Sequence, residues 1–403
     1  MSCPAGKQIA VLGLSHPFRG GIAHYSTLLV RELRRHHPVR FLTLSRQYPT
    51  FLFPGQSQYD DSVAAITEEN EPIIDSINPL TWLRAAFILW RGGYDLVIVQ
   101  WWNPFFGPAF GTITNLLGLV SRAPICFLCH NVLPHEGSLL DRWLTSYAFW
   151  RATHFVVHSE QDKINLLALV PRAPVTKTRH PTYAVFGAHD VCDKAAARRR
   201  LGLRVDRATL LFFGLVRPYK GLEYLLRAIP LVVREVDCVL LVVGEFYEPK
   251  DRYTRLIEDL GLGGRVELVD RYVNNEEVSL YFRSADVVVL PYVDATQSGV
   301  VQIAFGLEVP VITTDVGGLP EIVEDGCTGF VVASRSPEQL ADAIVRFYRE
   351  AREAPFRREI ARRRGEFDWR QETEAIAGLL RDAAGDAGAS AACVGGAGGR
   401  RHR

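Results

Sequence analysis

The chain has 403 residues, 48% hydrophobic and 23% charged, with a formal net charge of +1. That length predicts two or three domains, each large enough to bury its own core. The near-zero charge excludes a whole-molecule field for nucleic acid; seven scattered cysteines make no disulfide framework, and with no signal peptide ahead of the first strand a reducing cytoplasm fits best.

Along the chain, short apolar runs alternate with amphipathic stretches, the pattern of parallel sheets covered by helices on both faces. In the first half the runs 9–14, 39–44, 96–100, 125–129 and 154–157 predict strands, nearly all free of charge except for Arg40. The basic cluster of Arg31, Arg34, Arg35, His36, His37 and Arg40, and a second at 357–364, read as solvated helix faces or as patches for an anionic surface. Residues 96–121 carry no charge, but Asn103, Pro104, Gly107, Pro108 and Gly111 interrupt them. A lipid-spanning helix needs about 20 continuous apolar residues, so this stretch is read as strand, turn and helix. A Pro- and Thr-rich stretch without periodicity, 171–188, predicts the inter-domain linker.

The second half restarts the alternation with runs at 209–213, 238–243, 266–269, 287–290 and 309–313. A helix is predicted over 222–236, with Leu225, Leu226, Ile229 and Val232 on one face. A basic helical stretch leads to another at 369–383, and the Gly/Ala-rich tail 385–403 is expected to be disordered. The fold class is therefore α/β, with two Rossmann-like, doubly wound parallel-sheet domains facing a central cleft. Ligands of such sheets bind beyond the carboxyl ends of the strands.

Two segments carry the chemistry. Gly214, Arg217 and Lys220 follow the strand 209–213 and precede a helix. An Arg fork and a mobile Lys charge suit a departing diphosphate. Some 75 residues on, Thr296, Gln297, Ser298 and Gly299 precede the apolar helix 300–307, with Ser298 as N-cap. Free amides from Gly299 and Val300 onward, with the helix dipole behind them, then face an anion. A third loop, after the first strand, holds Gly20 and Gly21, which allow close backbone approach from the opposite domain. It is not G-x-G-x-x-G, so a dinucleotide oxidoreductase is disfavoured.

At these residues the chain resembles a family 4 retaining glycosyltransferase of the GT-B fold. The matching pieces are RGGIAHY, CHNVLPHE, FVVHSE, RHPTY, GLVRPYKGLEYLLRA and SGVVQIAFGLEVPVITTDVGGLPEIVEDGCTGFVV, in family order over about residues 8–375. The resemblance implies transfer of a hexosyl-type sugar from a UDP- or GDP-sugar to a glycan, lipid-linked or small-molecule acceptor. It implies an acceptor-binding domain at 1–181, a nucleotide-sugar domain at 182–353 and final helices, 354–384, packing back across the junction. Arg217 and Lys220 would hold the diphosphate, the amides near Ser298–Val301 its far phosphate, and Gly20 and Gly21 would close over the sugar. His130 would contact the donor sugar, Tyr272 would line the base pocket, and His135 and Glu136 would serve the acceptor. No D-x-D sequence occurs, so no metal and no cofactor is expected.

One departure stands out. The family carries two glutamates separated by seven residues; here that spacing falls on Asp294 and Gln302, or, counting back without gaps from Pro310, on Ala295 and Ile303. Asp294 and Gln302 retain hydrogen-bonding capacity toward sugar and ribose, and Glu321 is a further carboxylate beside the site. A sugar-nucleotide isomerase of similar architecture and a catalytically weak binding relative remain as alternatives. Cys126 to His130 spells a haem-attachment pattern, but positions three apart on a buried strand face opposite ways. The aromatic Trp82, Phe87, Trp90, Trp101, Trp102, Phe105 and Phe106, with Arg31, Arg34 and Arg35, keep open a peripheral contact of the first domain with the inner membrane face.

Overall fold

A computed structural model describes residues 6–53, 55–133, 137–188 and 192–394. The first sheet is built from β1 (Ile9–Gly13), β2 (Val39–Arg46), β3 (Glu71–Asp75), β4 (Leu96–Trp101), β5 (Ile125–Cys129), β6 (His154–Val157) and β7 (Val175–Lys177). They lie in the order β3-β2-β1-β4-β5-β6-β7, every pair parallel. The second sheet contains β8 (Ala208–Phe213), β9 (Cys238–Val243), β10 (Val266–Val269), β11 (Val287–Leu290), β12 (Val311–Thr314) and β13 (Gly329–Val332). Its order is β10-β9-β8-β11-β12-β13, again all parallel. In each sheet the winding reverses once, between β1 and β4 and between β8 and β11. Those two switch points are where a doubly wound sheet opens a crevice for ligand.

Alternate residues of β1 go to different cores. Ile9 and Val11 join an apolar cluster running through Tyr25, Tyr183 and Phe186 to Val300 and Leu290 of the second sheet. Ala10 and Leu12 face a cluster with Phe110, Phe127 and Phe149. Cys126 and Cys129 of β5 fall into these two separate clusters, which disposes of the haem pattern. The charge-free stretch divides into β4, a 3₁₀ turn at Pro104–Phe106 and the helix Gly107–Val120. Among the described residues no helix is long and apolar enough to cross a membrane.

Three edge strands lie where no strand signal is present in the sequence. In β3, Glu71 and Asp75 bound a run broken by Pro72; β7 has three residues, two of them polar, inside the expected linker; β13 follows a turn-rich stretch. Edge strands bury less and so show weaker patterning. Both basic clusters are largely neutralised: Arg31 and Arg34 pair with Glu68, Arg35 with Glu32, Arg357 with Glu353, and Arg362 and Arg363 with Glu359. The last helix, Trp369–Val394, lies against the helix Gly21–Leu33, with Trp369 and Tyr25 ring centroids 5.0 Å apart. It continues past Gly385, where disorder was expected, because six alanines from 383 to 392 offset its glycines. Residues 395–403 lie outside the described residues.

Candidate active site

The chain leaves β8 through Gly214, whose φ of 98° is open to glycine and strained for other residues. A Cβ here would stand 3.0 Å from Lys220 Nζ and 3.4 Å from Val300 Cγ2, so the bare backbone makes room for both. The loop then presents two cations. The Arg217 guanidinium stacks 4.7 Å from the Tyr247 ring centroid, and Lys220 Nζ lies 5.3 Å from that of Tyr292. Lys220 is only 8% exposed, and among the described residues neither cation forms an ion pair. Desolvation by burial pulls the Lys220 pKa down; Tyr219 opposes this and Arg217 adds to it. A buried cation without a counter-charge is costly alone and favours an incoming anion.

Beyond β11 the chain reaches the helix Gly299–Gly306. Ser298 is its N-cap residue but makes no side-chain cap; its Oγ lies 3.3 Å from the Tyr292 hydroxyl. The first helical turn closes with Val301 N donating to Ser298 O at 3.1 Å, so the N–H groups of Gly299 and Val300 precede it. Gln297 has both side-chain polar atoms buried without partners among the described residues. From the other domain, Gly20 at φ 107° starts the helix Gly21–Leu33, likewise without a side-chain cap.

All of these line one cavity of about 710 Å³ between the domains: Gly20 and Gly21 on one side, Gly214, Arg217, Lys220, Tyr272 and Gln297 to Val300 on the other. Contacts across the cleft hold it together. Arg19 pairs with Glu245, their side chains 8% and 3% exposed, and stacks 4.6 Å from the Tyr272 ring. Gln56 N donates to Glu245 Oε1 at 2.6 Å, Asn275 Nδ2 to Asp60 Oδ2 at 3.2 Å, and the Tyr183 hydroxyl to Gly21 O at 3.4 Å.

Four of the expected site residues are not on this wall. His130 is buried behind it, its Nε2 2.7 Å from Gln100 Oε1 and its ring 4.4 Å from that of Tyr25. His158 and His180 flank it, and desolvation, with His180 adding, drives its pKa well below the usual range. His130 N still donates to Trp101 O at 2.8 Å, which keeps its backbone on the sheet, and the Gln100 contact holds the ring inward. Asp294 faces a separate cavity of about 360 Å³ with Arg142, Gln161, Asn165 and Thr296. Gln302 is fully buried in its helix, whereas Ile303 reaches the main cavity; Ala295, its counterpart in the gap-free count, lines the smaller cavity beside Asp294. Glu321 accepts from Glu160 N at 2.8 Å and Lys177 Nζ at 3.0 Å, which makes it a bridge between the domains. His135 and Glu136 lie outside the described residues.

Arg19 and Glu245 went unnoticed in the sequence. Glu245 had a signal, a carboxylate directly after the apolar β9 and Gly244; its pairing with a residue 226 positions away had none.

Comparison with known proteins agrees with this geometry. Residues 20–181 match the model for a glycosyl transferase 4-like domain, and 207–350 match that for glycosyl transferases group 1. The chain belongs to the family 4 glycosyltransferases of the GT-B fold. Among curated family members, the D-inositol 3-phosphate glycosyltransferases of Mycobacterium bovis and Mycobacterium tuberculosis are 32% identical over 202 residues; the match spans 48% of this chain and 41% of theirs. Sucrose-phosphate synthase from Thermosynechococcus elongatus superposes with a TM-score of 0.69 at 20% identity, covering 93% of this chain and 98% of that one. Anabaena HepE in complex with UDP-glucose gives 0.68 at 18% identity, covering 93% and 100%. A glycosyltransferase from Rickettsia africae gives 0.71 at 14% identity, covering 94% and 98%. At such identities the three superpositions speak for the fold.

Proposed function

We propose that this glycosyltransferase moves a sugar from a UDP- or GDP-sugar to an acceptor hydroxyl with retention at the anomeric carbon, using no metal or other cofactor. The observation that carries the reading is Lys220: buried, without a counter-charge among the described residues, and sharing one cavity with Arg217 and the starts of two helices from opposite domains. Together they form a receptacle for a diphosphate. The bound UDP-glucose of HepE and the inositol phosphate in the name of the mycobacterial relatives are consistent with a nucleotide-sugar donor and a hydroxyl acceptor.

In the proposed reaction the bond from the anomeric carbon to the diphosphate oxygen breaks while the acceptor oxygen bonds the same face of that carbon. The acceptor proton passes to an oxygen of the leaving diphosphate, so no side-chain nucleophile is needed. Arg217, Lys220 and the amides of Gly299 and Val300 stabilise the charge that develops on the leaving group, fixed before reaction in a cleft that excludes water. Closure by the Arg19–Glu245 pair keeps the donor from bulk solvent.

The test is product analysis with a panel of nucleotide-sugars and acceptors. Nucleoside diphosphate released together with an acceptor adduct of unchanged anomeric configuration, read by NMR coupling constants and unaffected by EDTA, is the expected result. Inversion, a strict metal requirement, or conversion of the donor into an isomer would each overturn it.

A further inference from the structure

We propose that the outer face of the first domain, made by three neighbouring helices, docks on a bilayer containing anionic phospholipid. The helix Pro79–Gly92 is apolar on both sides. Trp82, Ala85, Ala86 and Leu89 are buried, while Leu80, Leu83, Phe87 and Trp90 form a second stripe facing solvent. Stripes at this spacing lie along one helix face. Phe87 is 58% exposed, and its ring centroid lies 5.8 Å from that of Trp90.

The helix Gly107–Val120 lies beside it and ends in the exposed Leu119 and Val120. The helix Leu139–Phe149 follows on the far side, joined to Gly107–Val120 by Asn115 Nδ2 donating to Tyr147 O at 3.1 Å. It presents Leu139, Leu140 and Trp143, followed by Trp150, with Leu139 86% and Trp150 73% exposed. Apolar surface this extensive on a soluble domain marks an interaction site.

Charge says what covers it. Arg84, Arg91, Arg122, Arg142 and Arg151 are exposed on the same elements, and among the described residues Arg84, Arg91, Arg122 and Arg151 make no ion pair. The segments 76–93, 104–124 and 137–154 hold one acidic residue, Asp141, whose carboxylate accepts from Ser138 N and Oγ in a capping box. Tryptophan, aliphatic and arginine side chains with almost no acid are the chemistry that enters the headgroup layer of an anionic membrane. The basic patch expected at Arg31, Arg34 and Arg35 is not involved, since glutamates neutralise it. The face also reaches the cleft: Arg142 lines the smaller inter-domain cavity with Asp294 and Thr296. A bilayer held there would deliver an acceptor carried by a lipid, a consequence that rests on the transferase reading above.

The test is sedimentation of the full chain with vesicles of phosphatidylcholine alone or mixed with phosphatidylglycerol, at low and high salt. The wild type is expected to bind the mixed vesicles, with a blue-shifted tryptophan emission, and to release them as salt rises. The pairs Phe87→Ser with Trp90→Ser, and Trp143→Ser with Trp150→Ser, are each expected to weaken binding by at least about tenfold, because exposed side chains set the partition. Each should keep the wild-type thermal shift with UDP or GDP, which separates failure of docking from failure of donor binding. Wild-type protein remaining in the supernatant, variants that bind as tightly as wild type, or self-association abolished by these variants without vesicle binding would overturn the proposal.

Discussion

Replacing Lys220 by methionine should make the empty protein no less stable while weakening its hold on a nucleoside diphosphate. The amine is 8% exposed and its pKa is lowered by burial, ahead of the opposing effect of Tyr219 and the added effect of Arg217. A lysine with a depressed folded pKa costs folding free energy while it is charged, and that cost fades as pH rises through the folded value. Methionine keeps the apolar stem beside Tyr292 and removes the charge, so the apo melting temperature near neutral pH should stay level or rise. With ligand the balance reverses. One lost charge-assisted bond is worth about 1.5–3 kcal/mol, or roughly ten- to 150-fold in kcat/KM and in diphosphate affinity at 1.36 kcal/mol per decade. Differential scanning calorimetry with and without UDP or GDP reads both effects in one experiment. A variant that melts below wild type without ligand, or one that still shows the full ligand-induced shift, would overturn this role for Lys220.

Three other outcomes follow from particular contacts. Arg19→Met leaves Glu245 buried with the Gln56 amide as its remaining partner; stranding one side of a buried pair costs about 3–5 kcal/mol, so the cleft should open. Small-angle scattering would show a larger radius of gyration, and an unchanged profile would contradict the assignment. Gly21→Ala meets no atom within 4 Å, so stability should hold while the methyl projects toward the donor and raises KM; a wild-type KM would argue against Gly21 at the donor. Burial raises the Glu372 carboxyl from 4.5 to about 7, against the weaker opposing effects of the Thr178 hydrogen bond and of nearby Tyr25. Between those values the folded chain binds the extra proton, so stability attributable to this group is complete below 4.5 and is lost as pH rises toward 7. Glu372→Gln should remove that loss, and parallel melting-versus-pH curves for variant and wild type would contradict it.

The central strands were legible because both their faces are buried. Runs such as Cys238–Val243 or Val287–Leu290 have no solvent side on which to place a polar residue. Edge strands such as Val175–Lys177 have little burial to advertise themselves. The cavity loops were legible for a different reason: Gly214, Arg217, Lys220 and the Ser298–Gly299 start are local in sequence, and each lies at a strand's carboxyl end. What failed depended on side-chain direction or on distant partners. Asp294 and Gln302 sit within a few residues of the cavity yet point elsewhere, and His130 turns inward to Gln100. Glu321 meets Lys177 across a domain junction that no local pattern encodes. The exposed stripe of Pro79–Gly92 was only half legible: the sequence supplied the aromatics, and the fold decided that Trp82 is core while Phe87 and Trp90 face outward.

On the proposed reading, Arg217, Lys220 and the Gly299 helix start grip a diphosphate. Isothermal titration of UDP, GDP and ADP, each beside its monophosphate and nucleoside, tests it most directly. At least one diphosphate should bind about tenfold or more tightly than its own monophosphate, with the nucleoside weaker still and the preference lost in Arg217→Ala/Lys220→Met. Equal affinities across every such series, or a preference that survives the double variant, would rule out this grip on a diphosphate.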